Sequence, residues 1–350
     1  MASNKTFTGN FFEDFRIGQV LKHATPRTIT EGDVALYTAL YGPRFALQSS
    51  DEFARSIGLP RAPVDDVLAF HMVFGKTVPD VSLNAVANLG YASGKFGAPV
   101  YPGDTVSTSS TVTGLKQNSN GKTGVVYVNS VGKNQRGHVV LDYTRWVMVN
   151  KRDESTPAPE PVTPTLPSAV PAEQLHLPER LKLENYDFAL SGDKFTWSDY
   201  QVGEKLDHVD GMTIEEAEHQ LATRLYQNTA KVHFDQHAAN LGRFKRRLVY
   251  GGHIISLARC LSFNGMANAF RVLAINGGSH ANPSFAGDTL YAYSEVLEKL
   301  ELPGRQDVGA LRVRLVATKN QPATNFPYKK DGKYEDAVVL DLDYTLALPR

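Results

Sequence analysis

Pro99-Val100-Tyr101-Pro102-Gly103-Asp104-Thr105-Val106 returns later in the same chain as Pro283-Ser284-Phe285-Ala286-Gly287-Asp288-Thr289-Leu290, at an offset of 287 − 103 = 184. A proline- and glycine-bounded turn running into β-branched residues reads as the start of a strand, and this chain carries that start twice. Working outward, Phe15-Arg16-Ile17-Gly18 falls on Tyr200-Gln201-Val202-Gly203 and Thr28-Ile29-Thr30-Glu31 on Thr213-Ile214-Glu215-Glu216, both at an offset of 185. Leu40-Tyr41-Gly42 falls on Leu225-Tyr226-Gln227 at the same offset, and Lys133-Asn134-Gln135 answers Lys319-Asn320-Gln321 at 186. Val139-Val140-Leu141-Asp142 reappears as Val338-Val339-Leu340-Asp341, so the second copy holds an insertion, placed in the polar stretch 322–333. Six matches in order imply a duplication. The register sets Gln48 against His233, so only one copy keeps an imidazole there. One working site and one scaffold half are expected.

With 350 residues the chain has room for two domains of ordinary size. Lys plus Arg and Asp plus Glu are both 37, so no global field draws nucleic acid or an anionic membrane. The single cysteine, Cys260, excludes an intrachain disulfide framework and a multi-cysteine metal site. Residues 1–7 lack the apolar core of an export signal, and no apolar run is long enough to span a bilayer. A soluble, cytoplasmic protein is expected, with no nucleic-acid or membrane partner.

Seven prolines between residues 157 and 178 favour extended polyproline II and cannot pack a core. They divide the chain into an N-terminal module (1–150), a linker (151–180) and a C-terminal module (181–350). Within each module the pattern predicts a capped helix ending at Tyr41 or Tyr226, a short helix (50–57; 235–241), and a longer, largely apolar helix around Val67–Phe74 or Ile254–Leu261. Strands follow over 105–112, 123–128 and 138–143, and over 289–297, 310–318 and 337–348. Each module is therefore α+β, a long central helix wrapped by a curled antiparallel sheet.

The loop Gln227-Asn228-Thr229-Ala230-Lys231-Val232-His233-Phe234-Asp235, the helix start Tyr250-Gly251-Gly252-His253 and the Pro-Val-x-Pro-Gly-Asp-Thr element at 99–105 resemble the MaoC-like, (R)-specific enoyl-CoA hydratase family. The resemblance covers nearly the whole chain outside the linker, and it implies a tandem, or double, hot-dog fold. It also implies reversible hydration of an enoyl-CoA thioester. Length, tether and Tyr-Gly-Gly-His look most like the branch for a short, branched, carboxylated enoyl-CoA, mesaconyl-CoA going to β-methylmalyl-CoA. The substrate is itself the CoA thioester, no cofactor or metal is implied, and the family usually forms homodimers.

Hydration needs a base for water, a donor to the α-carbon and hydrogen bonds to the developing enolate. The resemblance puts His233 in the first role. Asn228 stands where the family usually has aspartate, and an amide orients water but cannot take its proton. Asp235 is the nearest alternative carboxylate, or else the cap of the short helix. Gly252 is the candidate oxyanion donor, its N–H lying at a helix N-terminus and its missing Cβ admitting the thioester oxygen; the alternative is a tight turn made by Gly251-Gly252. Arg243, Lys245 and Arg246 in the basic run 243–247 are candidates for CoA phosphates or a substrate carboxylate, or else a solvated charge run. Tyr250 and Gly251 are candidate substrate-binding residues, and His71, His253 and His280 read as structural or pocket-lining. Two other functions stay open, a hot-dog acyl-CoA thioesterase and a non-catalytic acyl-CoA-binding module.

Overall fold

The computed structural model describes residues 5–350. Strands β1 (Val20–Thr28), β2 (Ala85–Phe96), β3 (Thr105–Gln117), β4 (Thr123–Lys133) and β5 (Val139–Asn150) belong to the first half. The second half supplies β6 (Lys205–Asp207), β7 (Met212–Thr213), β8 (Arg271–Ser279), β9 (Thr289–Glu301) and β10 (Val308–Lys319). The hairpin β11 (Lys329–Lys330) and β12 (Lys333–Tyr334) follows, and β13 (Val338–Pro349) ends the chain. The main sheet runs β1-β3-β4-β5-β2-β8-β13-β10-β9-β6, with β7 also on β9. Its two halves repeat one strand order and join antiparallel at β2 and β8, where Tyr91 pairs with Gly278 and Lys95 with Ala274. The hairpin lies between β10 and β13, inside the stretch where the repeat offset grows.

The offset of 185 has a direct geometric meaning. Tyr226 donates from its hydroxyl to that of Tyr41 at 2.8 Å, and His71 Nε2 lies 3.1 Å from Ser256 Oγ; both pairs are 185 residues apart. Equivalent residues of two copies can touch only near the axis relating them, so these pairs mark the pseudo-two-fold. Away from the axis the same contacts recur. His23 Nε2 meets Ser110 Oγ at 2.7 Å, as His208 Nε2 meets Ser294 Oγ at 2.8 Å.

Each half winds its sheet around a central helix, Asp66–Thr77 in the first and Gly251–Leu261 in the second. Residues 67–77 and 252–261 are all buried, and both helices share one apolar cluster with the strands of both halves. Asp65 caps the first helix through Oδ1, which accepts from the N–H groups of Val67 and Leu68. Thr30 and Asp33 form the expected capping box. The equivalent start in the second half differs: Thr213 belongs to β7, and the helix Glu216–Leu225 begins after Glu215 with no side-chain cap.

The proline-rich stretch is docked. Val162 and Leu115 exchange backbone hydrogen bonds at 2.8 and 2.9 Å, and the Val170 N–H donates to Asn276 Oδ1. Just beyond it, Leu181, Leu183 and Tyr186 pack with Leu47, Phe53, Ile57 and Phe270. That cluster fills the region of Gln48, whose Nε2 donates to the Phe270 carbonyl at 2.9 Å. Among the described residues no helix is long and apolar enough to cross a membrane.

Candidate functional site

A cavity of about 510 Å³ lies at the equivalent position in the second half. Its floor is the start of the second central helix and its rim is the loop 228–250. Lys231–His233 forms one 3-10 turn, closed by the His233 N–H on the Ala230 carbonyl at 3.1 Å. The extended segment 248–250 clamps this turn: Leu248 N–H donates to the Val232 carbonyl and Val249 N–H to the Ser284 carbonyl, both at 3.0 Å.

His233 Nδ1 lies 2.9 Å from the Leu248 carbonyl. A carbonyl only accepts, so Nδ1 carries the proton and Nε2 keeps the lone pair. Burial against Tyr250, whose ring centroid is 5.5 Å away, holds the imidazole pKa down to about 4, only partly offset by the Leu248 carbonyl. The ring is neutral at pH 7 and presents an unprotonated nitrogen. Asn228 Oδ1 accepts from the Ala230 N–H at 3.0 Å, which leaves its Nδ2 group as a donor at the cavity wall.

Tyr250 precedes the helix, and its carbonyl accepts the His253 N–H at 2.9 Å. The first-turn N–H groups of Gly251 and Gly252 have no carbonyl four residues earlier within the helix, so the positive end of the helix dipole faces this region. The missing side chains are explained by packing. A Cβ on Gly251 would lie 2.4 Å from His280 Cε1, and one on Gly252 would lie 2.3 Å from Tyr250 Cε1 and 2.4 Å from His71 Cε1. The space at Gly252 is thus taken by two rings, not left for a ligand as the sequence suggested.

The structure gathers His233, Asn228, Tyr250, Gly251 and Arg243 on one cavity. Gly252 sits just behind the wall. Asp235 lies outside the lining and caps the short helix Gln236–Leu241, its Oδ1 accepting the Ala238 N–H at 3.0 Å. Lys245 and Arg246 also lie off the lining, and Arg246 donates to the Ala286 carbonyl while stacking 4.7 Å from the Phe285 ring. Arg243 stays exposed at the mouth beside Phe244. His71 and His253 are fully buried in the core, whereas His280 lines the cavity with Nε2 3.2 Å from the Tyr91 hydroxyl. Among the described residues no aspartate or glutamate lines this cavity, and imidazole is the base they offer it at neutral pH.

The resemblance implies that the first half helps line the acyl pocket, but the sequence named none of the residues that form this opposite wall: Phe74, Val78, Ser82, Asn88, Tyr91 and Arg145. In β5 the residues Leu141, Tyr143, Arg145, Val147 and Val149 share one face and are all buried. An arginine inside that apolar alternation was the available signal. Among the described residues no group of three or more His, Cys, Asp or Glu is placed to hold a metal ion.

Comparison with known proteins agrees with this architecture. A family model described as mesaconyl-CoA hydratase matches residues 2–327. The chain is 66% identical over 349 residues to a β-methylmalyl-CoA dehydratase of Chloroflexus aurantiacus, covering 99% of each. It is 60% identical over 348 residues to a mesaconyl-CoA hydratase of Cereibacter sphaeroides, covering 99% of this chain and 100% of the relative. The crystal structure of a MaoC domain dehydratase from Chloroflexus aurantiacus superposes with a TM-score of 0.98 at 66% identity, covering 99% of each chain. A double hot-dog protein of Mycobacterium tuberculosis shares the fold at 22% identity, with a TM-score of 0.74 over 98% of this chain and 99% of that one.

Proposed function

Since the chain belongs to the mesaconyl-CoA hydratase family of MaoC-like double hot-dog hydro-lyases, we propose that it reversibly hydrates mesaconyl-CoA to β-methylmalyl-CoA. The observation that carries this reading is His233: a neutral imidazole, its Nδ1–H fixed on Leu248, in a cavity that no carboxylate lines among the described residues. His233 Nε2 takes a proton from water while Asn228 Nδ2 holds that water by its oxygen. The water oxygen bonds to the β-carbon, the π electrons move to the thioester oxygen as an enolate, and the first-turn N–H of Gly251 at the cavity wall stabilises it. The enolate then collapses by taking a proton at the α-carbon, returned by His233. Water is added with no net oxidation or reduction, so this reading needs no redox cofactor. Acid–base help of this kind is worth roughly 10²–10⁴ in rate, about 2.7–5.5 kcal/mol of barrier.

Gln48 and the packed cluster around it suit the first half to a scaffold role, while its strand wall closes the acyl cavity. Arg243 at the mouth is the candidate contact for CoA phosphates. We assign the protein to the cytoplasm, as a homodimer. A panel of mesaconyl-CoA, crotonyl-CoA and β-methylmalyl-CoA tests the function by the enoyl-thioester absorbance, beside a thiol reagent that detects free CoA. Loss of absorbance with mesaconyl-CoA and no thiol release is expected. Thiol release without hydration would make it a thioesterase; binding with neither change would make it a non-catalytic module.

A further inference from the structure

Among the described residues Arg145 is a buried charge without a counter-charge. It is 0% exposed, yet its titratable neighbours are the phenols of Tyr143, Tyr91 and Tyr250 rather than a carboxylate. Nη2 donates to Thr77 Oγ1 at 2.7 Å and Ser82 Oγ at 3.2 Å, while Nε has no protein partner. The Phe74 ring, 4.3 Å from the guanidinium carbon, offsets only part of the lost hydration. Burying a charge this way is costly unless an anion joins it. Around the same cavity Asn88 Nδ2 and Oδ1, His280 Nδ1 and Ser284 Oγ are likewise buried without a protein partner. The wall is built for a polar guest.

The other half shows how the fold neutralises such a cation when it is only structural. Arg259, at the position equivalent to Phe74 (259 − 74 = 185), is held by Ser262 and the Ala269 carbonyl and feels the half-buried Asp65 carboxylate. At the position equivalent to Asp65 the open half has Tyr250 (250 − 65 = 185), and the equivalent of Arg145 is the uncharged Tyr344 (344 − 145 = 199). The unmatched guanidinium therefore belongs to the open cavity, not to the repeated scaffold.

We propose that Arg145 is the specificity residue that receives the free carboxylate of the substrate, contributed to the second half's site by a strand of the first. This rests on reading the cavity as a mesaconyl-CoA site, and it orients that molecule. The carboxylate is borne by the β-carbon, the carbon that water attacks. Anchoring it at the β5 wall turns the β-carbon toward His233 and Asn228 and leaves the thioester at Gly251. The planar fork suits a carboxylate better than a lysine ammonium would.

The test compares mesaconyl-CoA with tiglyl-CoA, which has a methyl group in place of the carboxylate, in the full-length wild type and in Arg145→Gln and Arg145→Lys. Wild type should prefer mesaconyl-CoA in kcat/KM. In Arg145→Gln that preference should collapse by roughly 10²-fold, mostly through KM, with partial recovery in Arg145→Lys. Equal losses on both substrates, or an unchanged preference, would overturn the proposal. Calorimetry with the unreactive methylsuccinyl-CoA and 2-methylbutyryl-CoA supplies a readout independent of turnover: wild type should favour the carboxylated ligand, and no preference would overturn the proposal without any variant. A wild type that shows this Arg145-dependent preference but does not hydrate mesaconyl-CoA leaves the inference standing and overturns the hydratase reading instead.

Discussion

Acid should spare this enzyme to an unusual degree, because His233, the proposed base, is held neutral by its surroundings. The cavity wall lowers the His233 pKa to about 4. At pH 5.0 an imidazole of pKa 4 is about 90% neutral, whereas an unperturbed one near 6.5 is only about 3% neutral. Because kcat/KM follows the ionisation of the free enzyme, the two cases differ about thirty-fold in rate at that pH. The assay is the initial loss of enoyl-thioester absorbance at mesaconyl-CoA well below KM. Enzyme kept at neutral pH is jumped into buffers from pH 4.5 to 8 at constant ionic strength. The expected profile is flat down to about pH 5 and falls below it. An acid limb with its midpoint at pH 6 or above would refute the desolvated-base account, since such a limb belongs to a solvated histidine or another group.

Packing at the helix start predicts two more outcomes. In Gly252→Ala the new Cβ meets buried rings at 2.3 and 2.4 Å, so urea unfolding should show a loss of about 1–3 kcal/mol; unchanged stability would contradict the packing role. In Gly251→Ala the clash falls on His280, 2.4 Å away at the cavity wall. There kcat should fall at least roughly tenfold with a smaller loss of stability, and full activity would separate His280 and this amide from the chemistry. His208 bears on acid stability: buried on Asn264 and Ser294, its pKa is lowered to about 4. Between pH 6.5 and 4 the unfolded chain takes up a proton that folded His208 refuses, so its contribution is complete above about 6.5 and shrinks by up to about 3 kcal/mol as pH falls to 4. Denaturation of His208→Asn at pH 4.5, 5.5 and 6.5 should show a shallower acid dependence than wild type; an identical slope would contradict this.

The sequence made the duplication legible because both copies keep the residues that build turns, and the offset of 185 reappears as contacts across the pseudo-two-fold axis. Strands β3, β4, β5, β9, β10 and β13 follow alternating β-branched runs and were visible for that reason. The joining strands β2 and β8 were not. Ala85-Val86-Ala87-Asn88-Leu89-Gly90 has little β-branching, and its pairing with β5 shifts register three times, so no clean period exists to read. The linker's prolines signalled an extended path, but that Leu181, Leu183 and Tyr186 pack beside Gln48 depends on a surface both halves create. At the site, His233 and Asn228 stand five residues apart and a motif could display them together. Arg145 is 88 residues from His233 (233 − 145 = 88) and reaches the cavity only because the sheet carries β5 to it. Asp235 had two readings in sequence, and its bond to the Ala238 N–H fits the cap.

Whether the second half alone does the chemistry is tested most directly by mesaconyl-CoA hydration rates of wild type, His233→Ala and Gln48→Ala, with melting curves for all three. His233→Ala should lose at least roughly 10² in kcat while remaining folded. Gln48→Ala, which loses only a hydrogen bond to the Phe270 carbonyl, should keep turnover close to wild type. If Gln48→Ala is the more damaging change, or if His233→Ala turns over normally, the catalytic half has been misplaced.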